Sequence, residues 1–154
     1  MAFVISSPLF KDGDKIPPRF AADSGNISPA FTWDGAPPEA VTFALVLHDP
    51  DASRPGGYTH WLIFNLPRGQ NYINEAVLPK ETLKNGVVQG RNSAGANGYI
   101  GPAPPPGKPH HYHFTLYAVD RRLNLQPSAD RDALLEALKG HILAQTEIVG
   151  LYQR

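Results

Sequence analysis

Apolar residues along this chain come in short blocks, each closed by turn-forming residues. Residues 3–7 (FVISS) form the first block and stop at Pro8. Residues 30–33 (AFTW) lie between Ser28-Pro29 and Asp34-Gly35. In residues 41–49 (VTFALVLHD), Phe43, Leu45 and Leu47 share one face, and Ala44 and Val46 share the other. A strand with two apolar faces belongs in the interior of a sheet. Residues 60–66 (HWLIFNL) have the same character and end at Pro67. Residues 86–91 give a weaker strand signal, and 141–152 read as the last strand. Residues 110–120 (HHYHFTLYAVD) are rich in aromatic and β-branched side chains, which suit a pleated surface.

One helix is expected over about 128–139. Ser128 is placed to cap it by accepting from free first-turn amides. Asp130 and Asp132 suit the positive end of the helix dipole. Leu134 and Leu138 stand four apart with Leu135 beside them, and Gly140 stops the helix before Ile142. No repeat or linker interrupts the chain. The pattern predicts one domain over 1–154, mostly β, an antiparallel β-sandwich with one late helix.

Composition narrows the function classes. The 154 residues suit one core. Lys and Arg number 14, as do Asp and Glu, so the formal net charge is zero. Nucleic-acid binding, which needs a basic surface to displace counterions, is not expected. No run approaches the roughly 20 apolar residues that span a bilayer. The opening apolar run has no basic segment before it and reads as a strand rather than a signal peptide. A cytoplasmic location without stable membrane insertion is therefore expected, and the glycosylation pattern Asn26-Ile27-Ser28 carries no weight there. The absence of cysteine excludes disulfides, thiolate nucleophiles and Cys-based zinc sites, and agrees with a reducing cytosol. Gly (14) and Pro (16) exceed their joint average usage of about 12% without any repeat, which points to strands joined by stiff, shaped loops.

Chemistry is concentrated in three segments: Asp49-Pro50-Asp51-Ala52, Tyr58-Thr59-His60-Trp61, and the Gly/Pro-rich stretch 90–110. That stretch, about 20 residues long, exceeds an ordinary connection, and loops of this length are usually functional. Glycine lets the backbone approach a guest and proline fixes its curve, so a concave wall of backbone amides suited to an anion is expected. Alternation adds the side chains. His110 and Tyr112 share a face with Phe114, Leu116 and Ala118, Asp49 with Leu45 and Leu47, and His60 with Leu62 and Phe64. An Asp, two His and a Tyr thus stand at the ends of inward-facing columns, with Asp49 expected to accept from His60 and set its tautomer. His111 and His113 face away from His110, so a metal site is not expected. No Gly-x-Ser-x-Gly elbow or Gly-Lys-Ser/Thr loop is present, and an enzyme is not expected.

Two motifs in order resemble the phosphatidylethanolamine-binding, Raf-kinase-inhibitor-like family. The first is Asp49-Pro50-Asp51-Ala52-Ser53 followed by His60. The second is Gly98-Tyr99-Ile100-Gly101-Pro102-Ala103-Pro104-Pro105-Pro106-Gly107 followed by His110-His111-Tyr112. The ending, from Gly140-His141 to Leu151-Tyr152, looks like the short prokaryotic branch. The resemblance implies a β-sandwich with a pocket for phosphate, acetate or phospholipid head groups, formed by Asp49, His60, His110 and Tyr112 with Gly101, Ala103, Pro104 and Pro105 as loop walls. Ser53 replaces a proline of the family motif, and Ala103 a common glycine. The helix that closes the pocket of the animal proteins has no counterpart. The resemblance further implies a phosphorylated ligand, no cofactor, a homodimer and, as the alternative function, inhibition of a kinase or serine protease through partner capture. Because a carboxylate opposes an anion, at least one histidine is expected to be protonated in the bound state, with binding weakening above a pH of about 6.5 to 7.

Overall fold

The computed structural model describes residues 2–154. Eight strands and one helix follow in the order β1 (Val4–Ser6), β2 (Phe31–Asp34), β3 (Thr42–Asp49), β4 (Tyr58–Pro67), β5 (Tyr72–Ile73), β6 (Val88–Gln89), β7 (His110–Val119), α1 (Arg131–Leu138) and β8 (Ile142–Tyr152). The blocks read from the sequence are all strands, with ends shifted by a few residues. The weak 86–91 signal shrinks to two residues. β5 has no apolar run long enough to announce it; it pairs with β2 through Phe31 and Thr32.

The strands form two antiparallel sheets, β1-β2-β5 and β6-β4-β3-β7-β8. The two-faced strands β3 and β4 lie inside the larger sheet, as apolar side chains on both faces require. On one face Phe43, Leu45, Leu47, Phe114 and Leu116 pack against Phe31 and Trp33 of the smaller sheet. On the other face Ala44, Val46, Leu62 and Phe64 are covered by Leu134 and Leu138 of α1. The result is a β-sandwich with a helical layer on its back.

α1 begins later than expected. Asp130, not Ser128, is the capping residue; its Oδ1 accepts from the Ala133 amide at 2.9 Å. Both residue types cap well, and the choice falls to the residue at the turn into α1. No helix among the described residues is long and apolar enough to cross a membrane.

Candidate functional site

The site lies where β3 ends and β7 begins. Asp49, the last residue of β3, is buried at 3% exposure. Its Oδ2 accepts from His110 Nδ1 at 2.6 Å, and its Oδ1 accepts from the Asp51 amide at 2.8 Å. One carboxylate therefore orients an imidazole and pins the start of the loop after β3. Tyr112 follows His110 on the same face, fully buried, with its ring 6.4 Å from that of His110. Burial, then the Asp49 charge, holds its phenol well above the ordinary range, so the hydroxyl stays protonated and serves as a donor.

His60 reaches this group through an irregularity. Leu47 pairs with Trp61, but the next residue, His48, pairs with Thr59. His60 is the extra residue of a β-bulge, which re-aims a side chain. Strict alternation would place His60 with Leu62 and Phe64 on the helix-covered face. The bulge instead turns it toward Tyr112, with ring centroids 5.3 Å apart. Its Nδ1 donates to the Ile100 carbonyl at 2.7 Å. Burial pulls its pKa below the usual 6.5, against the opposing pull of that carbonyl and of Asp49. A neutral ring with its proton on Nδ1 presents Nε2 as a lone pair.

The four polar residues line one cleft of about 250 Å³, and Gly101, Ala103, Pro104 and Pro105 form its loop wall. Every site residue named from the sequence is thus brought to one place. Three expectations need correction. Asp49 pairs with His110, not with His60, whose Nδ1 faces the loop carbonyl instead. His60 arrives through the bulge and not through simple alternation. The amide wall also differs: the Ile100 amide donates to the His60 carbonyl and the Gly101 amide to Asn26 Oδ1. The loop meets the cleft with a carbonyl and proline rings instead. Gly101 is needed for close approach of two segments of the chain, since a Cβ there would collide with the Phe20 carbonyl.

Tyr58 and Ile100 also line the cleft; the sequence places them in the candidate segments but does not mark them as pocket residues. Tyr58 had a signal: it stands two residues before His60 on the same side, with rings 4.8 Å apart. Ile100 had none, because its contribution is a main-chain oxygen. Ser53 completes the rim where the family motif carries proline. His111 and His113 turn to the other side and meet Asp51 and Glu147 at 2.7 and 3.0 Å. The loop is held from within. Asn92 Oδ1 accepts from the amides of Ala94 and Ala96, its Nδ2 donates to the Gly98 carbonyl, and the Tyr99 hydroxyl donates to the Phe20 carbonyl at 2.7 Å.

Known proteins resemble this chain in sequence and in fold. The model of the phosphatidylethanolamine-binding protein family matches residues 6–153. A UPF0098 protein of Methanothermobacter thermautotrophicus is 46% identical, over 97% of this chain and 98% of its own. Among solved structures, a phosphatidylethanolamine-binding protein homolog from Chlamydia trachomatis superposes with a TM-score of 0.90 at 32% identity, covering 99% of this chain and 98% of that one. YbcL of E. coli, described as a new member of the mammalian family, gives a TM-score of 0.92 at 30% identity, with coverage of 99% and 98%. With a family model matched over residues 6–153 and a fold that superposes along nearly its whole length, this chain belongs to the phosphatidylethanolamine-binding protein family.

Proposed function

We propose that this chain is a binding protein, not an enzyme, that holds a small anion such as phosphate or a phosphorylated head group between His60, His110 and Tyr112. The observation that carries this reading is the convergence of two imidazoles and a protonated phenol around a buried carboxylate in one cleft. Tyr112 is kept as a donor, and Asp49 holds His110 with its second ring nitrogen available to a guest. A neutral His60 cannot donate from Nε2, so an anion seated there must bring a proton or capture one. The sign follows: binding takes up a proton, and affinity rises as pH falls.

Calorimetric titration of phosphate and of phosphoethanolamine at pH 6 and pH 7.5 tests the reading. Wild type is expected to bind more tightly at pH 6, by up to about tenfold per pH unit for one coupled proton. His60→Ala is expected to lose most of the binding. Equal affinity at both pH values, or binding untouched by His60→Ala, would contradict it. No heat with either anion would shift the assignment to capture of a protein segment, with a kinase or protease as the partner class.

A further inference from the structure

A second cleft, of about 270 Å³, lies on the reverse side of the same sheet end. Strand alternation puts it there: His48 and Thr59 face it, while their neighbours Asp49 and Tyr58 face the first cleft. We infer that this second cleft binds the phosphate group of a small phosphate monoester through the guanidinium groups of Arg54, Arg91 and Arg131.

Three observations carry the inference. First, these arginines are not spent on protein carboxylates. Among the described residues, every arginine–carboxylate pair within 4.0 Å belongs to Arg19, Arg121 or Arg154. Second, Arg131 Nε is buried with no hydrogen-bond partner among the described residues. An unmade bond on a buried charged donor is costly, and it shows that no acceptor among the described residues neutralises this edge of the guanidinium of Arg131, which lines the cleft. Glu147, which shares a groove with Arg131, is committed to His113 Nδ1 and Thr115 Oγ1, each at 3.0 Å. Third, the floor is built. His48 Nε2 donates to the Gly56 carbonyl at 2.8 Å, and its Nδ1 lies 3.0 Å from Thr59 Oγ1. The imidazole thereby ties down the loop that carries Arg54. The Arg54 guanidinium lies over the Tyr58 ring, 5.5 Å from its centroid, and touches the Ser93 carbonyl at 3.5 Å.

The charge pattern selects the ligand. Three planar guanidiniums match the oxygens of a phosphate, which carries about −1.5 to −2 charge at neutral pH as a monoester. Asp130 and Asp132 stand at the exposed rim, with one Asp130 oxygen already used as the cap of α1. These two carboxylates oppose a polyanion and leave room for one phosphate group with a neutral or hydroxylated remainder.

The test is an amide NMR titration of the whole chain with inorganic phosphate and with glycerol phosphate. The amides of Gly57 and Ser93 report on the second cleft, and those of Gly101 and Ala103 on the first. Both ligands are expected to move Gly57 and Ser93 to saturation in wild type and also in His60→Ala, which disables the first cleft. Arg54→Gln changes an exposed side chain and is expected to weaken that set by about tenfold, from loss of one charge-assisted contact. Arg54→Gln/Arg131→Gln is expected to abolish it while Gly101 and Ala103 still respond. Shifts confined to Gly101 and Ala103 would overturn the inference. So would Gly57 and Ser93 shifts of unchanged affinity in Arg54→Gln, a variant that decides the question even if Arg131→Gln does not fold.

Discussion

At the residue scale, Asp49 is the pivot of the first cleft. It accepts from an imidazole on β7 and from the Asp51 amide that begins the following loop. Asp49→Ala removes both acceptors and leaves the partly buried His110 donor and the Asp51 amide without their protein partner. Unfolding free energy is expected to fall by about 1–3 kcal/mol. Urea denaturation measures this, and a midpoint equal to that of wild type would show that the carboxylate holds nothing. The residue types of this cleft were legible in the sequence: Asp49, His60, His110 and Tyr112 stand out as polar groups at the ends of apolar columns. Which imidazole meets the carboxylate was not legible. That depends on where strand ends fall in space, and His60 is held by a main-chain oxygen that any residue at position 100 would supply.

At the element scale, β4 decides the site because it is not a regular strand. It carries the bulge at His60 and a second register shift between the pairs Phe43–Leu66 and Leu45–Ile63. Asn65 sits in that second irregularity at φ 60°, in the left-handed region. Its buried side chain donates to the Leu123 carbonyl and accepts from the Leu123 amide at 2.9 and 2.8 Å. Asn65→Ala is expected to cost about 2–4 kcal/mol, from two lost bonds to buried main chain plus backbone strain. Asn65→Gly is expected to recover only the backbone share. The two denaturation midpoints separate these contributions, and equal midpoints would remove the strain share. Strands and their two-faced character were readable because burial on both sides leaves a continuous apolar run. A bulge leaves no such trace, since one inserted residue changes parity without changing composition. Leu134 and Leu138 place α1, but its start is ambiguous in the sequence because Ser128 and Asp130 are both competent caps.

At the scale of the whole molecule, one sheet end presents different chemistry on its two sides: an imidazole–phenol–carboxylate group in front and arginines behind. His60 and His48 lie on opposite sides, and burial pulls both pKa values below 6.5; Arg131 adds to the effect at His48. A folded-state pKa below the unfolded value means that the unfolded chain binds more protons. The stability from these two groups is therefore complete above about pH 6.5 and is lost as pH falls toward their folded pKa values. Unfolding free energy is expected to decline from pH 6.5 to pH 5, before most carboxylates titrate. The decline is expected to flatten in His48→Gln/His60→Gln. Denaturant titrations at pH 7, 6 and 5 check this, and an equal slope in the double variant would refute it.

The sequence by itself determined the strand-rich class, the helix, the family and the membership of the first cleft, because each rests on local pattern or on motifs with fixed order. Apolar periodicity dictates which faces are buried, and the Gly/Pro run dictates a stiff, shaped loop. Only the tertiary structure decided the Asp49–His110 pairing, the rotation of His60 by a bulge and the use of the Ile100 and Gly101 amides within the protein. It alone gathered Arg54, Arg91 and Arg131 at one place. The physical reason is common to all four. Each depends on register and on main-chain direction between segments far apart in the chain, and neither is encoded in the identity of any single residue.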